Sequence, residues 1–146
     1  MKRVAFTCAL LLLATAAHTQ TSKEFALMAR KSWSAFECSY LAAQAKDQGE
    51  YGRLFNIGYE FGKKAIDAFQ NNKISKDDVL GNMPWGFTIN LAGPSPDFML
   101  GVIYHAASSN AETDVTRDMF SKPIDTSLWQ TNAQTKYQKT NCALIQ

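Results

Sequence analysis

The sequence contains very little histidine. Only 2 histidines occur among 146 residues, and one of them, His18, lies just after the apolar N-terminal run. A Ser-His-acid triad or a Cys-His pair needs a histidine as its base, which leaves His105 alone for that role. No G-x-S-x-G elbow surrounds a serine, and no P-loop, dinucleotide or EF-hand motif occurs. We therefore expect no enzymatic activity, and we assign no catalytic residue, cofactor or metal ligand.

An excess of charge of one sign is also missing. Lysine and arginine total 15 against 13 aspartates and glutamates, a formal net charge of +2. The sequence shows no basic patch interleaved with aromatic residues, which is the usual footprint of a nucleic-acid-binding protein. We therefore expect no nucleic-acid partner.

The first 17 residues have the pattern of a secretory signal. A short basic segment, Met1 to Arg3, precedes an apolar run over residues 4–13 and the small residues of 14–17. The apolar run is shorter than the roughly 20 residues that span a bilayer, and no later stretch is apolar enough, so we expect no stable membrane anchor. The sequence predicts a signal peptide over 1–17 and a periplasmic or secreted protein.

Cleavage would leave two of the three cysteines, Cys38 and Cys142. In an oxidising compartment one disulfide is the default, and it would join the first helix to the C-terminal tail. Two unpaired thiols are the alternative. Cys8 lies inside the apolar run rather than after it, which argues against a lipoprotein.

The strongest helical periodicity runs over residues 50–72. Apolar residues at steps of three and four share one face there: Leu54, Ile57, Gly58, Phe61, Ala65, Ala68 and Phe69. Gly58 and Gly62 form a G-x-x-x-G pair, and each glycine costs roughly 1 kcal/mol of helix propensity against alanine. A packing reason is therefore expected, and Gly101 is a candidate to face the pair.

The other helices are predicted from their start and stop signals. Ser22 is a plausible N-cap for a first helix over 22–46, and a break ending at Gly49 predicts an antiparallel hairpin with the second helix. Ser75 begins a short helix, because Asp78 completes a capping-box-like start. The adjacent acids Asp77 and Asp78 are explained by this capping rather than by glycosidase chemistry.

The clearest start signal opens the third long helix. Ser95, Pro96 and Asp97 combine an N-cap serine, a proline at the first position and an acid in the first turn. The apolar spacing predicts that this helix continues to about residue 119. For residues 84–91 we favour an irregular or helical connection over a strand.

The predicted fold is all-α. We expect a small bundle of three long helices plus one or two short ones, forming a single domain over residues 18–146. The polar composition of residues 122–146 predicts a mostly irregular tail, tied back by the disulfide.

Aromatic residues are the candidates for partner binding. Trp85 and Phe87 lie in a connection flanked by proline and glycine, and Trp129 lies in the tail. Loops on a rigid scaffold often carry binding sites, and tryptophan is enriched at interface hot spots. We assign these three residues to partner binding, with capping of the core ends as the alternative.

One short segment carries a resemblance. The run Gly58-Tyr59-Glu60-Phe61-Gly62, followed by an alanine-containing helix end, is similar to the Tai type of immunity protein for secreted amidases. The cysteine positions and the downstream segments depart from that pattern. The resemblance implies an exported protein that blocks a protein partner.

Together these features predict an exported, non-catalytic envelope protein that binds a protein partner, as an immunity, inhibitor or exclusion factor. Two alternatives remain open. The protein could carry a small apolar ligand or lipid between its long helices, or it could be a hydrolase that uses His105 or Asp97. The sequence indicates no oligomeric state.

Overall fold

The computed structural model describes residues 20–146, so the predicted signal peptide lies outside the described part of the chain. The described chain is helical, with six α-helices: α1 (Ser22–Gln44), α2 (Gln48–Gln70), α3 (Lys76–Asn82), α4 (Trp85–Thr88), α5 (Pro96–Thr116) and α6 (Trp129–Lys139). Single 3-10 turns occur at Thr126–Leu128 and Cys142–Leu144. The predicted all-α class with three long helices is confirmed. Among the described helices, none has the length and apolar character to cross a membrane.

Helix α1 is capped by Thr21 and not by the predicted Ser22. The Thr21 hydroxyl accepts a hydrogen bond from the Glu24 backbone N–H at 3.2 Å, and the Glu24 carboxylate accepts from the Thr21 N–H at 2.6 Å. This is a full capping box. The Ser22 hydroxyl instead accepts from the backbone N–H of Ser75 at 2.8 Å and ties α1 to the start of α3.

The turn between α1 and α2 has the predicted length but lies two residues earlier in the chain than predicted. Lys46, with φ of 67°, adopts the left-handed conformation expected of Gly49. Asp47 then caps α2 by accepting from the Glu50 N–H at 3.0 Å. As a result α1 ends at Gln44 and α2 begins at Gln48.

The packing reason expected for Gly58 and Gly62 is confirmed. A Cβ at Gly58 would lie 2.5 Å from the ring of Phe36, and one at Gly62 would lie 2.4 Å from Leu100 and 2.7 Å from the Ser32 hydroxyl. The Ser32 hydroxyl donates to the Gly58 carbonyl at 2.7 Å. The two glycines therefore let α2 lie directly on α1, with Leu100 of α5 against the same face.

Helix α5 begins as predicted and ends early. The Ser95 hydroxyl accepts from the Phe98 N–H at 3.2 Å, with Pro96 at the first position. The helix stops at Thr116 and not near 119, because Arg117 is extended with φ of −127° and ψ of 150°. Gly101 was predicted to face the glycine pair, and this is wrong. It is exposed, and a Cβ there would meet nothing within 4 Å.

The predicted irregular tail is wrong for most of its length. Helix α6 occupies its centre, and the buried Ala133 belongs to a core cluster with Leu41 of α1 and Val115 of α5. The predicted disulfide between Cys38 and Cys142 is present, with 5.5 Å between the two Cα atoms. Tertiary packing of Ala133 and the cross-link therefore order a segment whose own composition is polar.

Candidate interaction surface

Residues 116–124 form a hairpin that the sequence reasoning missed. Its neck is closed by the Ile124 N–H, which donates to the Thr116 carbonyl at 2.9 Å. Arg117 and Pro123 then pair as an antiparallel bridge. We call this segment the apolar hairpin, because of the two residues at its tip.

The carboxylate of Asp118 organises the turn of the apolar hairpin. Its Oδ1 atom accepts from the backbone N–H of Phe120 at 2.8 Å and of Lys122 at 2.9 Å. The Asp118 N–H donates to the Lys122 carbonyl at 2.9 Å, and its carbonyl accepts from Ser121 at 2.9 Å. Such side-chain-to-backbone bonding by aspartate is a recognised way of fixing a turn.

Ser121 supplies the change of direction after the tip. It has φ of 61°, in the left-handed region that few residues other than glycine adopt. Its carbonyl accepts from Nη1 of Arg117 at 2.9 Å. This hydrogen bond links Arg117, before the tip, to the residue that follows the tip and helps to hold Ser121 in that conformation.

The tip presents two large apolar side chains to solvent. Met119 is 89% exposed and Phe120 is 73% exposed. A single exposed apolar residue is normal on a protein surface. Two adjacent ones on a turn with its own hydrogen bonds form a compact apolar projection that a partner could cover without first ordering the loop.

Trp129, predicted to bind a partner, supports the hairpin from behind. Its side chain is half-buried, and its indole Nε1 donates to the Ile124 carbonyl at the neck, at 3.3 Å. One turn later Asn132 donates to the Val115 carbonyl at 3.3 Å, one of the carbonyls that the end of α5 leaves without a helical partner. Helix α6 therefore holds the base of the hairpin.

Trp85 and Phe87, both predicted to bind a partner, face opposite ways, and Phe87 lies in the core rather than on the surface. On a helix, residues two positions apart point roughly 200° apart. Phe87 is 0% exposed within the core, and Trp85 is 74% exposed. Gly86 lets α4 lie close against α1, because a Cβ there would lie 2.3 Å from the indole ring of Trp33. Ile89, one turn after Trp85, is 54% exposed, so α4 carries a second, smaller apolar surface.

The structure does not bring the three predicted residues together. Phe87 belongs to a core cluster with Phe36 and Ile103. The hairpin follows Val115, which belongs to the other cluster, around the disulfide. Trp85 and the apolar hairpin therefore belong to separate surfaces.

Asp97 and His105, the two residues named for the hydrolase alternative, do not form a catalytic pair. Asp97 accepts from the Tyr59 hydroxyl at 2.9 Å and lies 3.5 Å from the ammonium of Lys63. His105 is exposed on α5, and no hydrogen bond or ion pair described for residues 20–146 joins it to Asp97. Within that same range no group of three histidine, cysteine or acidic side chains is placed to hold a metal ion.

A cleft of 220 Å³ with three charged side chains in its wall lies beside the disulfide. Burial raises the pKa of Glu37 in its wall, although the amide of Asn110 donates to its carboxylate at 2.6 Å. Across the cleft Lys136 and Asp114 form an ion pair at 2.7 Å. These two contacts link α1 to α5 and α5 to α6.

Comparisons with protein-family models, curated proteins and solved structures find no match to this chain. The short resemblance to immunity proteins therefore remains limited to the segment from Gly58 to Gly62. In this protein the two glycines of that segment are explained by the packing of α2 on α1.

Proposed function

We propose that this chain is an exported, non-catalytic protein that binds a protein partner, as an immunity, inhibitor or exclusion factor would. The observation that carries the proposal is the apolar hairpin. It exposes Met119 and Phe120 on a turn whose geometry is fixed by Asp118 and Arg117. A pre-ordered apolar projection loses little conformational entropy on binding, which favours its use as an insertion element.

Export is supported by two independent features. The N-terminal 17 residues have the composition of a secretory signal, and the disulfide between Cys38 and Cys142 is of the kind that persists in oxidising compartments. N-terminal sequencing of the protein recovered from the producing cells tests this part. A chain that begins near residue 17 or 18 is expected, and a chain that still begins at Met1 would contradict export.

Partner binding is tested by site-specific photo-crosslinking. A photoreactive phenylalanine analogue replaces Phe120 in one variant, Trp85 in a second and the exposed Glu60 of α2 in a third. The proposal predicts one protein adduct from position 120 in cell-envelope extract. Excess wild-type protein should abolish the adduct, and excess Met119→Ser/Phe120→Ser protein should not.

The same experiment can contradict the proposal in two ways. If positions 120 and 60 give the same adducts, contact at the hairpin is non-specific. If position 85 alone gives a competed adduct, the partner binds the α4 surface and the assignment to the hairpin is wrong.

A further inference from the structure

A groove between α2 and α5 is lined mainly by aromatic rings. Its volume is 160 Å³. The ring of Tyr104 stands edge-on to Phe55 at 5.2 Å and to Phe36 at 5.3 Å between centroids. These favourable edge-to-face contacts hold the walls in place. The groove is therefore a pre-formed feature of the helix packing.

Gly101 keeps the mouth of the groove open. A glycine inside a helix costs about 0.5–1 kcal/mol relative to alanine. At Gly58 and Gly62 close packing explains that cost, but a Cβ at Gly101 would meet nothing within 4 Å. Its φ is not positive either. Neither packing nor backbone conformation requires this glycine, and its missing side chain leaves space beside the aromatic wall.

The rim of the groove already holds an ammonium group. The Lys63 Nζ atom lies 3.5 Å from the Asp97 carboxylate, donates to the Tyr59 hydroxyl at 3.4 Å and lies 5.3 Å from the Tyr59 ring centroid. The Asp97 carboxylate also accepts from the Tyr59 hydroxyl at 2.9 Å, so a negative charge and an aromatic ring both lie within reach of a cation at this position. Because Lys63 is itself an exposed, flexible side chain, another cation could displace it at little cost.

We propose that this groove binds a small organic cation, an ammonium group carried on a compact apolar body. The charge lies between the Asp97 carboxylate and the Tyr59 ring, and the apolar body lies against Phe55 and Tyr104, beside Gly101. The Asp97 carboxylate, once the Lys63 ammonium is displaced from it, favours a cationic ligand over the uncharged apolar ligand or lipid that the sequence left open. This site does not involve the apolar hairpin, so it stands or falls independently of the proposed partner binding.

The test compares choline with dimethylbutanol, its uncharged isostere in which carbon replaces the nitrogen. Each is titrated into the isotopically labelled, oxidised protein, and the aromatic ring signals are followed by NMR. Choline is expected to shift the signals of Phe55, Tyr59 and Tyr104, and dimethylbutanol at equal concentration is not. Loss of the acidic charge in Asp97→Asn should weaken choline binding up to about fivefold.

Two glycine variants distinguish a block of the groove from any general effect of placing leucine in a helix. Gly101→Leu places a side chain in the groove mouth and should abolish the shifts. Gly81→Leu is the matched control, because Gly81 also lies in a helix with nothing within 4 Å of an added Cβ, on α3, and does not line the groove. It should titrate as the wild type does.

A Lys63→Gln variant removes the resident ammonium and should bind choline more tightly than the wild type. The proposal is overturned if choline leaves the ring signals unchanged in both the wild type and the Lys63→Gln variant. It is equally overturned if choline and dimethylbutanol shift them alike, or if Gly101→Leu binds as the wild type does.

Discussion

At the scale of single residues, the two helical glycines Gly58 and Gly101 have opposite surroundings. The first lies against the buried ring of Phe36, and the second faces open space. From the sequence, both are glycines within a helical pattern, and close packing is expected at both of them. The neighbours that decide the effect of a substitution come from other helices.

The same substitution should therefore have opposite effects at these two positions. We expect Gly58→Ala to lower the free energy of unfolding by about 1–3 kcal/mol, because the added methyl must displace a packed aromatic ring. Gly101→Ala should raise the free energy of unfolding by about 0.5–1 kcal/mol, since alanine is the better helix former. Urea unfolding of both variants measures this. Equal changes of the same sign would contradict the described packing.

The buried carboxyl group of Glu37 also affects the stability of the protein. Burial raises the pKa of its carboxyl group in the native state. The native protein thus holds this proton more tightly, so the contribution is stabilising below the unfolded-state pKa and is lost as pH rises through the native one. At neutral pH the buried charge is therefore a cost.

We expect Glu37→Gln to raise the melting temperature at pH 7, because the amide carries no charge and can still accept from Asn110. The gain should shrink as pH falls and should vanish at about pH 3, where wild-type Glu37 is protonated. Thermal unfolding at the two pH values measures this. A variant less stable than the wild type at pH 7 would show that the Glu37 charge is needed.

At the scale of elements, the C-terminal segment is held by a network centred on Glu50. Arg53 donates twice to the Glu50 carboxylate, at 2.7 and 2.8 Å, and the Tyr137 hydroxyl of α6 donates to the same group. Arg53 also donates to the carbonyls of Cys142, at 3.5 Å, and Ile145. These contacts join the start of α2 to both α6 and the end of the chain.

The network should weaken in acid. Hydrogen bonds from Arg53 and then Tyr137 lower the pKa of Glu50 from 4.5 to about 2. A lowered carboxyl pKa contributes stability above its unfolded-state value, and this contribution is lost as pH falls from about 4.5 to about 2. Amide exchange in α6 should therefore accelerate over that range. In Glu50→Gln this acid-dependent acceleration should be absent, and if it persists, another group loosens α6.

In alkali the same network should respond through Tyr137. Burial, and then the hydrogen bond to Glu50, raise the pKa of Tyr137 from 10 to about 12. A raised tyrosine pKa contributes stability that is full below pH 10 and is lost as pH rises towards 12. Ultraviolet titration should find Tyr137 ionising with a pKa of about 12, and ionisation near 10 would mean that the contact with Glu50 is not kept in solution.

Some elements were predictable because their signals are local, and others were not. Ser95 and Pro96 predict the start of α5 from two adjacent residues. Helix α6 has no side-chain cap at Leu128 and only one buried residue, Ala133, so its order depends on distant contacts. Met119 and Phe120 continue the helical spacing of α5, so the sequence predicts a longer helix in place of the apolar hairpin, whose turn depends on hydrogen bonds to the Asp118 carboxylate.

At the scale of the whole molecule, the disulfide joins the middle of α1 to the last residues of the chain. Cys38 and Cys142 are 104 positions apart, and both are buried in the cluster that also holds Val115 and Ala133. The number of cysteines left after cleavage, together with the expected oxidising compartment, predicted this bond. The elements packed beside the disulfide, α6 and the base of the hairpin, could not be predicted from the cysteines.

Removal of the cross-link should destabilise the protein substantially. In the chain-entropy model a loop of about 100 residues contributes about 4.7 kcal/mol, and measured losses for small secreted domains are about 2–5 kcal/mol. We expect a loss in this range for Cys38→Ala/Cys142→Ala by urea unfolding. A loss below about 1 kcal/mol would mean that packing alone holds α6 in place.

The central claim is that Met119 and Phe120 are presented on a hairpin that is ordered before any partner binds. Backbone amide relaxation of residues 117–122 in the free, oxidised protein tests it most directly. We predict order parameters near the roughly 0.85 of rigid backbone, falling in Asp118→Ala and largely retained in Asp118→Asn, which keeps the Oδ1 acceptor. Wild-type values below about 0.6, the range of flexible segments, would contradict the account.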